Sequence, residues 1–331
     1  MDKTFKFRPI SCSWVAVHPN PKGVIQFIGG AFFGTFPTVF YRYFFRQLFN
    51  EGYTIVALPF RFSFRHWPIA ISLLKEQGVL AEEIPKVAKR LNYQTDIYQD
   101  KTRYFWIGHS LGCKYITLLE FLSGEQWPTI VQDCVQDSED QFQQIEKSIK
   151  DIPLEQRSIK GQPSLLIAPD ISDTQSAIPK PLAFIAHFLD KIKLGVLPTR
   201  KQTQCFIKGS NLFNLTALIS FDKDTIAGSQ TDVNKDCETR ENSDVLWLIE
   251  QLKSRKFPIL DQEIPGKHLE PVGVKIGNYI VDFNPLDKFI EPIKSRQLEP
   301  VVIRFLDELK ERKQMAKVEQ YSVSAIRGVT L

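Results

Sequence analysis

The stretch of sequence that decides the fold is YFWIGHSLG, residues 104–112. Its first four residues are large and apolar, which is typical of a strand buried on both faces of a sheet. The next five fit the pattern G-x-S-x-G around Ser110, and an apolar helical stretch follows to residue 122. The segment predicts a buried strand that turns abruptly into a helix, with a serine at the turn.

The two glycines of this pattern have a steric reason. A strand that turns sharply into a helix brings backbone atoms close together on both sides of the serine, and only a glycine leaves room for them. The turn also lifts the serine hydroxyl clear of the sheet. The bare pattern is a weak indicator, but the strand before it and the helix after it are the context that a nucleophile elbow requires.

The rest of the chain alternates short apolar runs with helical segments. Apolar runs that predict strands are 24–28, 53–58, 104–107, 163–168, 215–221 and 257–260. Helical patterns cover 41–49, 81–95 and 286–321. This alternation predicts the α/β class, with a mostly parallel central sheet flanked by helices. Ligands of such sheets bind outside the carboxyl ends of the strands, so the chemistry is expected there.

Two segments interrupt the alternation in what we expect to be a single domain over residues 1–331. Residues 125–160 are polar and predict a helical insertion. Residues 171–212 include an amphipathic helix with Phe184 and Phe188 on its apolar face. Two interpretations stay open for this helix: packing on the body of the domain, or a lid over a pocket that touches a membrane surface.

A serine hydroxyl needs a base to take its proton, and histidine is the usual base. The chain has five histidines: His18, His66, His109, His187 and His268. We select His268, because it follows the last predicted strand and so lies at the same sheet edge as Ser110. The ring of His109, next to the serine in sequence, should point away from the hydroxyl.

A carboxylate must orient the histidine. The predicted strand 215–221 ends just before two aspartates. Asp222 lies at the junction of strand and loop, whereas Asp224 lies in the loop and can reach toward His268. We select Asp224 and keep Asp222 as the alternative. The order Ser110, Asp224, His268 is one of the known orders for such a triad.

Acyl transfer also needs hydrogen-bond donors for the developing oxyanion. We expect the backbone N–H of Leu111 to be one donor and that of Ala31 the other, with Phe32 as the second choice for the latter. The glycine pair at 29–30 lacks the Lys-Ser/Thr end of a phosphate loop, which argues against nucleotide binding. The residues expected to contact substrate are Gly30, Phe32, Phe33, His109, Phe184 and Phe188.

Composition excludes some classes of function. The formal net charge is only +4 and the basic residues are scattered, so we expect no nucleic-acid partner. The five cysteines form no CxxC pair and no ligand spacing with histidine, so we expect neither a metal site nor disulfides, and no cofactor. With no leader and no long apolar stretch, the sequence predicts a protein of the reducing cytoplasm.

The motifs at residues 28–30, 108–112, 221–226 and 266–268 resemble those of the α/β-hydrolase superfamily over residues 20–300. The first has Ile28 where many superfamily lipases and esterases carry histidine. With residues 7–9 and the aromatic run 32–49, the chain more narrowly resembles a domain-of-unknown-function family of cyanobacteria and plant chloroplasts. The resemblance implies a hydrolase-type core, but the same fold hosts other activities.

The expected function is therefore that of a serine esterase or lipase-like hydrolase. Aromatic residues near the expected cleft favour an apolar acyl or lipid-like ester as the small-molecule substrate. Acyl transfer or thioester hydrolysis on the same triad is the first alternative. A lipid- or pigment-binding protein without activity is another, followed by cofactor-free haloperoxidase or lyase chemistry, and the oligomeric state stays open.

Overall fold

The structure is a computed structural model that describes residues 5–135, 139–171, 196–281 and 290–327. An eight-stranded sheet forms its centre, with the strand order β1-β2-β4-β3-β5-β6-β7-β8. These strands are β1 Arg8–Ile10, β2 Ser13–Ala16, β3 Gly23–Ile28, β4 Tyr53–Ala57, β5 Tyr104–His109, β6 Ser164–Ile167, β7 Thr216–Phe221 and β8 Leu260–Ile264. A small antiparallel sheet contains β9 Val274–Ile276, β10 Tyr279–Val281 and β11 Ile290–Pro292.

Helices connect the strands. The α-helices of the described residues are α1 Pro37–Phe40, α2 Arg42–Asn50, α3 His66–Arg90, α4 Leu111–Leu122, α5 Trp127–Cys134, α6 Glu139–Ile149, α7 Leu154–Arg157, α8 Arg200–Gly209, α9 Cys237–Asn242, α10 Asp244–Lys253 and α11 Leu298–Arg327. None of the helices in the described ranges is both long and apolar enough to cross a membrane.

The sheet is mostly parallel and is covered by helices. β1, β2 and β4 pair antiparallel, and every other pair from β4 to β8 is parallel. Every residue of β3, β4, β5, β6 and β7 is buried, so both faces of the central sheet are covered. Helix α4 contacts β5, α3 and α8, whereas α11 contacts α2, β6 and β7. The predicted α/β class is confirmed.

Strand register brings the ends of four strands to one edge. Ile28 pairs with Gly108 at the ends of β3 and β5. Phe221 pairs with Ile264 at the ends of β7 and β8. The loops that follow these parallel strands therefore meet at the same edge of the sheet, where the candidate site lies.

Several predicted elements were wrong in their extent. The last strand begins at Leu260 rather than at residue 257, and its partly exposed residues fit an edge strand instead of an apolar run. The helix predicted over 81–95 extends from His66 to Arg90. Pro68 does not prevent this early start, because a proline in the first turn costs no helical hydrogen bond. The helix predicted from residue 286 begins only at Leu298, after β11.

The two predicted insertions are described to different extents. Residues 125–160 contain α5, α6 and α7. Of the second segment, 171–212, the structure describes residue 171 and residues 196–212, which include α8. Phe184 and Phe188 lie outside the described residues. The expectation of no disulfide was wrong: Cys134 of α5 and Cys205 of α8 are bonded. Contact between the two helices brings together cysteines that are 71 residues apart, which spacing in the sequence does not reveal.

Candidate active site

Ser110 lies at the sharp turn between β5 and α4. Its backbone has φ 54° and ψ −124°, a conformation that costs a non-glycine residue about 1–3 kcal/mol. A Cβ on Gly112 would lie 2.1 Å from the carbonyl oxygen of Ile28, and one on Gly108 would lie 2.8 Å from the Cys113 nitrogen. Gly112 therefore permits the close approach of α4 to β3, and Gly108 permits that of α4 to β5, which together hold the serine in this conformation.

His268 faces Ser110 from the loop after β8. Its Nε2 lies 2.8 Å from Ser110 Oγ, and its Nδ1 lies 2.8 Å from Asp224 Oδ2. Because an ionised carboxylate only accepts hydrogen bonds, Nδ1–H donates to Asp224 and Nε2 is left to accept the serine proton. The three side chains are all at least nine-tenths buried. The structure thus brings together the three residues selected from the sequence.

The second carboxylate oxygen of Asp224 is held by the backbone. Its Oδ1 accepts the N–H groups of Ile226 at 2.8 Å and Ala227 at 3.1 Å. Asp222, the alternative, instead accepts the Gly266 N–H at 2.9 Å and so fixes the start of the histidine loop. The geometry separates the two aspartates: one contacts the imidazole and the other contacts the backbone beside it.

Burial and charge act in opposite directions on His268. Burial by itself lowers the pKa of this imidazole, but the charge and hydrogen bond of Asp224 outweigh it, and Asp170 adds to them. The net result is a pKa above the ordinary value for histidine. A base with a raised pKa holds a proton more readily once it has taken one from the serine.

The loop after β3 approaches Ser110 from the other side. A Cβ on Gly30 would lie 3.2 Å from the Ser110 Cβ, so the backbone of this loop packs directly against the serine. The Gly30 N–H donates to the Tyr41 hydroxyl at 2.8 Å. Within the described ranges, the N–H groups of Ala31 and Leu111 meet no backbone acceptor. These are the two donors expected for an oxyanion.

The residues expected to contact substrate differ in how far their side chains are exposed. Phe32 is 63% exposed and Phe33 is partly exposed, and each packs against another phenylalanine. His109 is fully buried, with Nδ1 on the Tyr41 hydroxyl and Nε2 on the His268 carbonyl oxygen, so it lies behind the site rather than in an open cleft. Its expected contact with substrate does not agree with this placement.

Sequence reasoning missed two residues of the site. Tyr41 stands in an aromatic run, and no local pattern distinguishes it from the phenylalanines that pack around it. Asp170 follows β6, and its N–H donates to the Ser110 carbonyl oxygen at 3.3 Å. The end of a parallel strand was the available signal for Asp170.

Among the side chains that the structure describes, no group of three or more His, Cys, Asp or Glu is arranged to hold a metal ion. The site brings together the Ser110 hydroxyl, the His268 imidazole and the Asp224 carboxylate, and the N–H groups of Leu111 and Ala31 lie in the adjoining turns. Acyl transfer through an acyl-enzyme requires groups of these kinds in this order of contact.

Comparisons with known proteins agree with this architecture. Residues 6–129 match a family model described as "Protein of unknown function (DUF1350)". A search of curated protein sequences found no match. The chain resembles a C6-C4 SN3 inhibited esterase B from Lactobacillus rhamnosis, with 13% identity, TM-score 0.51, and 92% of this chain and 84% of that chain covered. It also resembles a C4-C4 SN3 tributyrin phosphonate inhibited form of that esterase, with 15% identity, TM-score 0.52, and coverage of 92% and 82%. The chain has the α/β-hydrolase fold.

Proposed function

We propose that the protein is a serine hydrolase that cleaves carboxylic esters through an acyl-enzyme. The observation that carries the proposal is the continuous chain from Asp224 through His268 to Ser110, with both links at 2.8 Å. In this arrangement Nδ1–H donates to the carboxylate, which leaves Nε2 to accept the serine proton.

In the proposed reaction, Ser110 Oγ attacks the ester carbonyl carbon while His268 Nε2 takes the hydroxyl proton. The carbonyl oxygen becomes negative and is bound by the N–H groups of Leu111 and Ala31. The intermediate collapses when the alcohol oxygen leaves with the proton from Nε2. Water then attacks the acyl-serine, His268 takes its proton, and the acid is released as Ser110 regains its hydrogen.

Aromatic side chains near the site support an acyl group of apolar character. Phe32 and Phe62 have ring centroids 5.0 Å apart, and Phe62 contacts Phe64 at 5.3 Å. These residues lie in the loops after β3 and β4, at the same sheet edge as Ser110. An apolar surface at this place favours lipid-like or other acyl esters over charged substrates.

Labelling with a fluorophosphonate probe tests the proposed function. The probe bonds covalently to an activated serine, so intact mass should rise in the wild type and stay unchanged in Ser110→Ala and His268→Ala. Ser63→Ala is the matched control, because Ser63 lies in the loop after β4 and its Oγ accepts the Arg65 N–H. Its labelling should equal that of the wild type.

A folded wild type that is neither labelled nor able to hydrolyse p-nitrophenyl esters of short and medium acyl chains would refute the proposed function. The natural interpretation would then be a non-catalytic protein that binds a lipid or pigment. If labelling succeeds, product analysis with added alcohols and with acyl-CoA determines whether water, an alcohol or a thioester takes part in the reaction.

A further inference from the structure

Two buried side chains outside the triad form a hydrogen-bonded chain beside Ser110. The Tyr41 hydroxyl accepts the Gly30 N–H at 2.8 Å and lies 2.8 Å from His109 Nδ1. His109 Nε2 lies 2.8 Å from the carbonyl oxygen of His268. Neither side chain has any exposed surface. This series of hydrogen bonds therefore connects the loop after β3 with the loop after β8 through the interior of the protein.

Only one direction of donation satisfies all of these contacts. A carbonyl oxygen has no hydrogen, so His109 Nε2–H donates to His268, which leaves Nδ1 of the neutral ring as an acceptor. The Tyr41 O–H must then donate to Nδ1, and its oxygen lone pair accepts the Gly30 N–H. With these directions, the Tyr41 hydroxyl and both ring nitrogens of His109 each have a hydrogen-bond partner.

The charges of the two side chains are fixed by their surroundings. Burial, followed by the nearby His268, lowers the pKa of His109 to about 3. Burial also raises the pKa of Tyr41 far above its usual range. Both side chains are therefore neutral in the folded protein near neutral pH. The protons of Tyr41 and His109 stay in place while His268 gains and loses a proton.

We propose that Tyr41 and His109 are positioning residues, which hold the oxyanion loop and the histidine loop at a fixed separation across Ser110. The inference rests on the proposed function. Tyr41 takes the Gly30 N–H and so fixes the Gly29–Gly30 peptide, while the Gly30 carbonyl oxygen accepts the Gly34 N–H at 2.6 Å and so fixes the next peptide. The Ala31 N–H belongs to that next peptide and is the amide that we expect to face the substrate. On the other side, His109 holds the backbone of the very residue whose imidazole accepts the serine proton.

This arrangement predicts an effect on rate rather than on substrate binding. Displacement of an oxyanion donor by about an ångström lowers the rate up to roughly 100-fold, because the donor stabilises charge that develops only in the transition state. Loss of the Tyr41 hydroxyl should therefore lower kcat and leave KM nearly unchanged. Asp224 and Asp170, which raise the pKa of His268, are unchanged in this variant, so the acid limb of the pH profile should not move.

Four variants test the proposal: Tyr41→Phe, His109→Phe, the double variant, and Tyr115→Phe as the matched control. Tyr115 is an equally buried tyrosine on α4, and its hydroxyl has no hydrogen-bond partner in the described part of the chain. Hydrolysis of p-nitrophenyl butyrate is measured per active site, titrated with a fluorophosphonate, so that loss of folded protein does not count as loss of rate. Amide hydrogen exchange at Gly30 reports on the hydrogen bond itself.

We expect Tyr41→Phe to lower kcat about 10- to 100-fold with KM changed less than about threefold, and Tyr115→Phe to leave both unchanged. Exchange at the Gly30 N–H should accelerate in Tyr41→Phe. The double variant should be no more than about threefold slower than His109→Phe, because either change interrupts the same series of hydrogen bonds.

Two results would overturn the positioning role. One is a Tyr41→Phe protein with kcat within threefold of the wild type, and the other is a double variant whose loss equals the product of the single losses. If His109→Phe does not fold, the kinetics and amide exchange of Tyr41→Phe decide alone. A wild type without any label or hydrolysis would instead refute the proposed function, and the two failures are therefore distinguishable.

Discussion

Exchange of Asp224 for asparagine tests the site through the orientation of one amide group. The Oδ1 position accepts two backbone N–H groups, from Ile226 and Ala227, so only an oxygen fits there. The asparagine NH₂ must then face Nδ1 of His268. Because NH₂ donates and does not accept, the imidazole has to present a bare Nδ1 and carry its proton on Nε2. In this tautomer His268 cannot take the proton of Ser110.

The magnitude follows from this tautomer. A triad histidine held in the wrong tautomer loses about 10⁴-fold in kcat, equivalent to about 5.5 kcal/mol of transition-state stabilisation. KM should change less than about threefold, since no substrate contact is altered. The two backbone hydrogen bonds are kept, so we expect unfolding to become easier by only about 1 kcal/mol.

Steady-state hydrolysis of p-nitrophenyl butyrate measures the effect, with Asp222→Asn as the matched control. Asp222 accepts one backbone N–H from Gly266, and an asparagine oxygen accepts it equally well, so kcat should stay within about threefold. The pH profile gives a second measurement. Asp224 raises the pKa of His268, whose neutral form is the base, so removal of the charge should move the acid limb to lower pH.

A loss of less than tenfold in Asp224→Asn, with the variant correctly folded, would refute the orienting role. An equal loss in Asp222→Asn would show that the histidine loop, rather than the tautomer, governs the rate.

Three further outcomes are expected. Serine at both Cys134 and Cys205 should lower the free energy of unfolding in urea by about 4 kcal/mol, because the bond closes a loop over 71 residues. Gly112→Ala places a Cβ 2.1 Å from a β3 carbonyl oxygen, so we expect a loss of about 1–3 kcal/mol in stability and at least about tenfold in kcat. Burial, and then a hydrogen bond to Glu291, raise the pKa of Glu270 to about 8. The folded state thus keeps a proton that the unfolded chain has released, and the free energy of unfolding should fall between about pH 5 and pH 8, less steeply in Glu270→Gln.

Each of these outcomes has its own check. Serine at Cys12 and Cys237, both free and exposed, should leave urea unfolding unchanged, and five reactive thiols in the unreduced denatured protein would contradict the disulfide. Gly78→Ala lies in α3 with its nearest atom 4.0 Å away, so it should stabilise by about 0.5–1 kcal/mol. Equal slopes of stability against pH in Glu270→Gln and the wild type would contradict the raised pKa.

Much of the central sheet and of the site could be predicted from the sequence. The apolar runs of β3 to β7 are buried throughout, and burial on both faces is what a continuous apolar run indicates. The edge strand β8 was shifted by three residues, because an edge strand is half exposed and its apolar signal is correspondingly weak. Ser110 was located by a local steric requirement, the glycines at the turn, which any chain with this turn must meet.

Other features depend on contacts between distant parts of the chain. Packing of helices and loops on the finished sheet decides three of them: the bond between Cys134 and Cys205, the different contacts of Asp222 and Asp224, and the contact of Tyr41 with the loop after β3. Periodicity, turns and glycine sterics are properties of a few neighbouring residues, so the sequence by itself determined strands β3 to β7, the sharp turn at Ser110 and the sheet edge where the candidate site lies. The short strands β1, β2 and β9 to β11 were not predicted. Hydrogen bonds form over about 3 Å and depend on angle, so only the tertiary structure decided which side chains meet at that edge.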